Sequence, residues 1–193
     1  MKILIENESF ECASGATVYD ALKEAGKISK EVLAATVCQK TVALSTVLKE
    51  GDAVSPLTFA DEEGRKVYRH TAAHILAQAV KRLYPQAKLT IGPAIENGFY
   101  YDFDSEVTFG PEQLRALEKE MKKIVSENLR IERFTLPKDE ALELVRKMEE
   151  PYKELLIERI PEGEEISFYR QGEFTDLCAG PHLFSTAAVR AFR

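Results

Sequence analysis

The sequence predicts an α+β protein of two domains, and three observations support that prediction. The first sixty residues alternate short β-favouring stretches with a single amphipathic helix. The rest of the chain combines amphipathic helices with short strands and hairpin signals, which favours a mostly antiparallel sheet packed against helices. Residues 60–66, between these two parts, are polar and lack hydrophobic periodicity, so we expect domains at residues 1–61 and 62–193.

The N-terminal domain has its own pattern of strands and turns. A helix begins at Thr17, with Asp20 three positions later completing an approximate capping box, and it ends at Gly26. Short strands precede and follow this helix, and residues 7–8 form a tight connection between the first two. Short strands with one covering helix predict a β-grasp unit resembling ubiquitin. The strands are expected at residues 2–5, 9–12, 34–38, 41–44 and 53–57.

The second domain begins with a helix over residues 68–84, in which apolar residues recur at intervals of three and four until Pro85. Asn97-Gly98 separates two β-favouring runs and is a strong hairpin signal, while Gly92-Pro93 indicates a bend in the first run. The last residues, 188–193, resemble a strand that stops without a cap, which predicts a truncated domain. Other strands are expected at 89–95, 99–103, 131–136, 166–170 and 174–178, and helices at 111–128, 138–148 and 151–160.

Composition limits the classes of function that the chain can have. A net charge of -6 argues against a protein that coats nucleic acid through a global positive field. No apolar run approaches the ~18 to 20 residues that span a bilayer, and an acidic residue lies too close to the N-terminus for a signal peptide. The three cysteines, Cys12, Cys38 and Cys178, are widely separated and odd in number, which gives no disulfide framework. We expect a cytoplasmic protein with reduced thiols and no membrane partner.

The three histidines of the chain and one of its cysteines form two pairs with matched spacing. His70 and His74 are one helical turn apart, so their Cβ atoms should lie about 6 Å apart on one helix face. Cys178 and His182 repeat the same spacing on a distant turn. These residue types and spacings suit zinc. A metalloprotease is excluded because Thr71 stands where HExxH requires its glutamate.

The residues alone leave three kinds of chemistry open. If all four side chains bound zinc, the tetrahedral shell would be full and the site structural, since catalytic zinc needs an open position. Without metal, the histidines could orient water or a hydroxyl while Asp176 and Lys153 fix charges and donors around an ester. Cys178 could also act as a nucleophile with His70 or His182 as its base, although Gly180-Pro181 offers no evident oxyanion hole.

Three motifs resemble a known family. They are YRHTAAHILAQA at 68–79, IGPAIENGFYYD at 91–102 and DLCAGPH at 176–182. In this order they closely resemble the N-terminal half of bacterial threonyl-tRNA synthetases, and the resemblance covers essentially the whole chain. The first sixty residues resemble the TGS domain of that family. The rest resembles its editing domain, which alanyl-tRNA synthetases share.

The resemblance implies that the chain hydrolyses serine wrongly attached to threonine tRNA. Such editing is needed because one methyl group gives only ~1 to 3 kcal/mol of discrimination in a binding pocket. The implied contact with RNA is the single-stranded 3′ end that carries serine. By resemblance, the catalytic pocket residues are His70, His74, Lys153, Cys178 and His182. The implied substrate-binding residues are Tyr101, Asp176, Gly92 and Pro93.

The resemblance also suggests a mechanism and a set of cofactors. His70 would engage the terminal ribose hydroxyl while a water held by Lys153 or His182 attacks the ester. No cofactor is obligatory for editing, and Zn²⁺ at the His/Cys cluster is an option. ATP, Mg²⁺ and a further Zn²⁺ belong to the synthetic core of the family, expected beyond residue 193 together with the homodimer interface. We therefore do not expect this chain to aminoacylate tRNA.

Two hypotheses compete with editing. In the first, the chain is an RNA- or nucleotide-binding module, and the four His and Cys side chains form a closed structural zinc site. In the second, the first sixty residues form a regulatory ligand sensor, since TGS units also occur in stringent-response proteins and GTPases. A metal measurement separates the first hypothesis from editing, and an effect of nucleotide on thermal stability tests the second.

Overall fold

A computed structural model describes residues 1–95 and 97–192, and it confirms the α+β class. The described residues contain five α-helices and both parallel and antiparallel strand pairs. The chain divides into two compact units: one comprises Met1–Arg69 with Gly180–Phe184, and the other comprises His70–Ala179 with residues 185 onward. The domain limits taken from the sequence, 1–61 and 62–193, stay a prediction.

The first unit contains a five-stranded mixed sheet with the order β2-β1-β5-β3-β4. Strands β1 and β5 are parallel, and the other neighbours are antiparallel. All five predicted strands and the predicted helix are present, with ends that differ by at most two residues. Their bounds are β1 Lys2–Ile5, β2 Glu8–Glu11, α1 Val18–Glu24, β3 Ala34–Val37, β4 Lys40–Val42 and β5 Ala53–Leu57.

Local chemistry explains two features that the sequence predicts for this unit: the tight connection between the first two strands and the capping box of the helix. The connection between β1 and β2 is tight because Glu6 and Asn7 both adopt positive φ values, 49° and 70°. The Thr17 hydroxyl accepts the backbone N–H of Asp20, and the Asp20 carboxylate accepts the N–H of Thr17, so the predicted capping box is confirmed. Helix α1 then buries Val18, Ala21 and Leu22 in the core of the unit. The sheet contributes Ile3, Ile5 and Val54, among others, to the same core.

Helix α2 spans Glu62–Leu83 and supplies residues to both units. It begins six residues before the predicted start at residue 68, so that part of the sequence prediction is wrong. The early turns are rich in charged residues, although Gly64 and Val67 are buried, and they are stabilised by Glu62 and Glu63 near the helix N-terminus and by ion pairs of both with Lys66. Such turns need no hydrophobic periodicity.

The second unit is built around a three-stranded antiparallel sheet of order β10-β11-β12. One face of this sheet is apolar, and Phe168 packs there with Val145 of α4 and Ile157 of α5. The predicted helices and these three strands are confirmed within one or two residues. Their bounds are α3 Pro111–Glu127, β10 Ile131–Leu136, α4 Lys138–Lys147, α5 Pro151–Glu158, β11 Ile166–Gln171 and β12 Phe174–Leu177.

The predicted hairpin is present, but its two long strands are wrong. The chain instead forms four two-residue strands: β6 Lys88–Leu89, β7 Ala94–Ile95, β8 Gly98–Phe99 and β9 Phe103–Asp104. Strand β7 pairs with β8 and β6 pairs with β9, so the hairpin is interrupted on both sides. The interruption includes Gly92-Pro93, where the bend was expected.

The predicted strand at residues 188–193 is also wrong. Thr186–Ala188 form a single 3₁₀ turn, and residues 189–192 are neither helix nor strand; Arg193 lies outside the described residues. The reason is that Thr186 is buried, its hydroxyl donates to the carbonyl of Ile124 and it accepts the N–H of Leu129. These bonds hold the segment against the end of α3. Among the described residues, no helix is long and apolar enough to cross a membrane.

Candidate active site

One face of the β10-β11-β12 sheet carries polar side chains and is covered by the second half of α2. The alternation along β12 buries Phe174 and Asp176 on this face, as the period of two predicts. Phe174 packs against Ala73 and Ala77, whose small side chains let the helix approach closely. Sheet and helix together therefore enclose Asp176.

Asp176 is the centre of a buried hydrogen-bonded network. The Tyr101 hydroxyl donates to its Oδ2 at 2.6 Å. The Lys153 ammonium lies 2.8 Å from Oδ1 and donates to the Tyr101 hydroxyl at 3.0 Å. Only 1% of Asp176 and 4% of Lys153 are exposed, so a lysine and an aspartate on distant segments form a buried ion pair.

Oδ1 of Asp176 has unused hydrogen-bonding capacity. It is buried and receives no hydrogen bond from the described residues, because the Lys153 ammonium is close to it but is not directed at it with hydrogen-bond geometry. A buried carboxylate oxygen without a hydrogen bond is rare and calls for a physical reason. A ligand that donates to Oδ1 would supply one.

Tyr101 is a protonated donor held in one orientation. Burial raises the pKa of its hydroxyl far above the usual range, and the negative charge of Asp176 raises it further. The ring stacks on Phe103 with centroids 4.9 Å apart. Gly92 contacts the Tyr101 ring so closely that a Cβ at that position would lie 2.1 Å from it. Gly92 therefore supports Tyr101.

The two histidines of α2 have different surroundings. His74 is buried, and burial lowers its pKa to about 3 despite the opposing charge of Asp176, whose Oδ2 lies 3.7 Å from Nε2. His74 is therefore neutral at pH 7 and can exchange hydrogen bonds without carrying charge. The His70 ring is perpendicular to it at 5.2 Å between centroids. Nε2 of His70 lies 3.3 Å from Sγ of Cys178.

Several of the residues predicted from the sequence thus come together. Tyr101, Lys153, Asp176 and His74 form one network, and His70 lies beside Cys178. Pro93 is exposed, and its predicted part in substrate binding stays a prediction.

Sequence reasoning missed several buried polar groups in this unit, among them Gln171, its partner Gln78, and Glu150. Gln171 donates to Gln78 at 2.8 Å, which fixes β11 to α2. Glu150, immediately before the proline of α5, is almost completely buried. Its position at a helix start was a visible signal, but its burial was not, since an acid is normally exposed there.

The described residues include a His/Cys cluster that could hold a metal ion. In the second unit, His70, His74 and Cys178 each offer one ligand atom, and these atoms lie within 4.8 Å of one another. Two imidazole nitrogens and one sulfur are donors that suit Zn²⁺, and His182 as the fourth ligand stays a prediction. The residues therefore fit the metal that the spacing suggested.

Comparison with known protein families gives the class of protein. Residues 166–193 match the family model described as the threonyl and alanyl tRNA synthetase second additional domain. This segment contains strands β11 and β12, with Asp176 in β12 and Cys178 and His182 after it.

Curated relatives are similar to nearly the whole of this chain. The chain is 56% identical over 191 residues to a threonine–tRNA ligase of Clostridium tetani, with 98% of the chain covered. It is 54% identical over 184 residues to the enzyme of Caldanaerobacter subterraneus, with 95% covered, and 51% identical over 195 residues to that of Acetivibrio thermocellus, with 100% covered. Over nearly its whole length the chain is therefore similar to threonine–tRNA ligases.

The homology has a defined extent. The chain spans about 30% of the length of the curated relatives that it matches: 30%, 29% and 31% for the three enzymes named. What those enzymes do as whole proteins therefore comes to this chain only as a proposal.

Proposed function

We propose that the chain is the editing part of a threonyl-tRNA synthetase and hydrolyses the ester of serine wrongly attached to threonine tRNA. The observation that carries the proposal is the buried Asp176–Lys153–Tyr101 network, in which Oδ1 of Asp176 receives no hydrogen bond from the described part of the chain. The family match of the segment that contains Asp176 supports it.

The network suits an aminoacyl ester. Such a substrate carries an α-ammonium group, which can donate to Oδ1 of Asp176 and satisfy it. Lys153 is a buried donor next to the same carboxylate, so it can hold the ester carbonyl. The Tyr101 hydroxyl, whose proton is donated to Asp176, can accept a hydrogen bond from the attacking water. A site packed this closely can admit serine and exclude the additional methyl group of threonine, which gives the second selection step.

In the reaction, the oxygen of a water molecule bonds to the ester carbonyl carbon and the bond from that carbon to the ribose oxygen breaks. The water contributes one proton to the leaving ribose oxygen, so the products are free serine and uncharged tRNA. Neutral His74 can accept a hydrogen bond from the water, and Lys153 can stabilise the negative charge that develops on the carbonyl oxygen. The roles of His70 at the ribose hydroxyl and of His182 at the water, and the place of Cys178 in the lining of the pocket, are taken from the family resemblance.

The rest of the family assignment forms part of the same proposal. The strand order β2-β1-β5-β3-β4, with β1 parallel to β5, supports a β-grasp TGS domain at residues 1–61. The family match of residues 166–193 supports an editing domain at 62–193. The proposed partner is the 3′ end of threonine tRNA in the cytoplasm. ATP, Mg²⁺, a further Zn²⁺ and a homodimer interface belong to the aminoacylation core of such enzymes.

A zinc-dependent binding module is the second candidate, and the His/Cys cluster favours it. A bound Zn²⁺ would fix the four ligands and stabilise the fold, as structural zinc does elsewhere. The two candidates make different demands on Asp176, Lys153 and Tyr101: a structural zinc site has no need of their network, and an esterase does.

The experiment that tests the proposal is a deacylation assay with matched seryl and threonyl esters of threonine tRNA, with and without a chelator. We expect release of serine at least ~100-fold faster than release of threonine, a ratio that corresponds to about 2.7 kcal/mol, with no effect of the chelator. Equal rates for the two esters would contradict editing. Unfolding by the chelator, together with stoichiometric zinc, would favour the binding module.

A further inference from the structure

A buried carboxylate outside the proposed pocket connects the segments that carry it. The side chain of Glu150, immediately before α5, is only 1% exposed. Its Oε1 accepts the ammonium of Lys81 on α2 at 2.7 Å, and its Oε2 accepts the backbone N–H of Leu89 on β6 at 2.7 Å. Acids are seldom buried unless both oxygens are satisfied, and here they are.

The main chain of Glu150 sets the start of the helix that carries Lys153. Its carbonyl oxygen accepts the backbone N–H groups of Lys153 and Glu154, both at 3.1 Å. Lys153 lies one turn further on, and its ammonium reaches Asp176 and Tyr101. A change in the position of Glu150 would therefore move the base of the Lys153 side chain.

The side chain of Glu150 also holds the segment that carries Tyr101. Leu89 pairs with Phe103 across β6 and β9, and it packs in the same cluster as Tyr101. Next to this pair, the N–H of Thr90 donates to the carbonyl of Asp102, directly after Tyr101. The bond from Leu89 to Glu150 thus fixes the strand pair against the start of α5.

The third connection runs to α2. Lys81 follows His74 by seven residues, which is two helical turns, so the two side chains lie on the same side of the helix. The Lys81 ammonium donates to Glu150 and to the carbonyls of Pro85 and Ala87, the latter two at 3.0 Å. All three of its donors are used inside the unit.

We propose that Glu150 is a positioning residue for the hydrolytic site: with Lys81 and the N–H of Leu89, it sets the distance of Lys153 and Tyr101 from Asp176. This inference rests on the proposed function. It concerns catalysis through geometry, since Glu150 bonds to groups outside the Asp176 network. Hydrolysis tolerates little displacement of such groups, because a shift of about 1 Å can reduce a rate about 100-fold.

The test compares Glu150→Gln, Lys81→Met and their double variant with wild type. Glutamine keeps the size of the side chain and removes its charge. We expect kcat for the seryl ester to fall roughly 10- to 100-fold with KM within about twofold, because the displaced groups act on the reacting atoms. The double variant should be no slower than the slower single variant, since the pair acts as one unit.

Ile157→Val provides the matched control for general destabilisation. Ile157 is buried on α5, and the substitution is expected to lower Tm while kcat stays within about twofold of wild type. A purely structural Glu150 would lower Tm in the same way and leave kcat unchanged. If Glu150→Gln does not fold, Lys81→Met alone carries the comparison, because it leaves the bond from Leu89 in place.

Crystal structures of wild type and Glu150→Gln, or of Lys81→Met in its place, give a readout that does not depend on activity. The proposal expects the distance of 2.8 Å between Lys153 Nζ and Asp176 Oδ1 to lengthen by roughly 1 Å. An unchanged distance with unchanged kcat would overturn it, and so would an equal loss of kcat in Ile157→Val. If wild type does not hydrolyse the seryl ester, the proposed function fails. The distance between Lys153 Nζ and Asp176 Oδ1 then tests by itself whether Glu150 positions Lys153.

Discussion

Two charged clusters lie along α2 in the second unit, and they use their hydrogen-bonding capacity differently. Arg82 donates to Glu120, Glu127 and Glu173, and its guanidinium is about one-fifth exposed. These bonds lower the pKa of Glu173 to about 2, chiefly through Arg82, and each of the three carboxylates is paired with the guanidinium. The cluster connects α2, α3 and the turn before β12.

The cluster around Asp176 is buried more deeply, and its hydrogen bonds are incomplete. Lys153 and Tyr101 surround the carboxylate, yet no described residue donates a hydrogen bond to Oδ1. A saturated, partly exposed cluster stabilises a fold, whereas a buried cluster with an unused acceptor can bind a donor group of a ligand. This difference favours the Asp176 cluster as the site.

Asp176→Asn should have the largest effect. It leaves Lys153 buried without its charge partner, which typically costs about 3 to 5 kcal/mol of stability. It also removes the proposed partner of the substrate ammonium, so we expect deacylation to slow by roughly 100- to 1000-fold. Urea unfolding and single-turnover hydrolysis measure the two effects. Full activity in a folded variant would remove Asp176 from the mechanism.

The burial of His74 predicts a dependence of stability on pH. Its pKa is about 3 in the folded state and 6.5 in the reference state, so the unfolded chain takes up a proton that the folded chain refuses. The contribution is present above pH 6.5 and is lost as pH falls towards 3, at a maximum of about 1.4 kcal/mol per pH unit. The measurement is the unfolding free energy of wild type minus that of His74→Gln from pH 7 to 4. A difference independent of pH would contradict a buried neutral imidazole.

Gly92→Ala tests whether Tyr101 must keep its orientation. The new Cβ would lie 2.1 Å from the ring, so the ring or the loop must move. We expect kcat for the seryl ester to fall roughly 10- to 100-fold. Gly98→Ala is the matched control, because a Cβ there meets nothing within 4 Å among the described residues, and its activity should be that of wild type. Equal activity of both variants would show that the contact with Gly92 is dispensable.

Of the variants considered, Arg82→Met should have the smallest effect, and it should change the free energy of unfolding but not the rate of deacylation. Partly exposed ion pairs are screened by solvent, and each contributes about 0.2 to 1 kcal/mol, so we expect a loss of about 1 to 2 kcal/mol that shrinks at high salt. Deacylation should stay within about twofold of wild type. A large loss of kcat with little loss of stability would reverse the roles of the two clusters.

Much of the fold could be predicted from local signals. The capping box of Thr17, the hairpin at Asn97-Gly98 and the alternation along β12 each depend on neighbours in sequence. The first turns of α2 could not be predicted, because their residues are mostly charged and show no hydrophobic period. The four short strands around Gly92 depend on its contact with Tyr101, which is a tertiary feature.

In the site, too, features that depend on neighbours in sequence could be predicted and tertiary features could not. The spacing of His70 and His74 placed both on one helix face, which the perpendicular rings 5.2 Å apart confirm. The connection of Lys153 to Asp176 could be proposed from the motifs, but residue spacing alone gives no sign of it. Glu150 escaped prediction because its partner, Lys81, is 69 residues away. Buried pairs between distant segments produce no periodic pattern in the sequence.

The central claim is that Oδ1 of Asp176 accepts the ammonium group of a seryl ester. A crystal structure with a seryl analogue of the terminal adenosine, in which an amide replaces the ester, tests it most directly. We predict the ligand ammonium at about 2.8 Å from Oδ1, with the ligand carbonyl oxygen within hydrogen-bonding distance of Lys153. An analogue bound with its ammonium directed away from Asp176, or a fully occupied zinc site with no ligand beside the network, would contradict the claim.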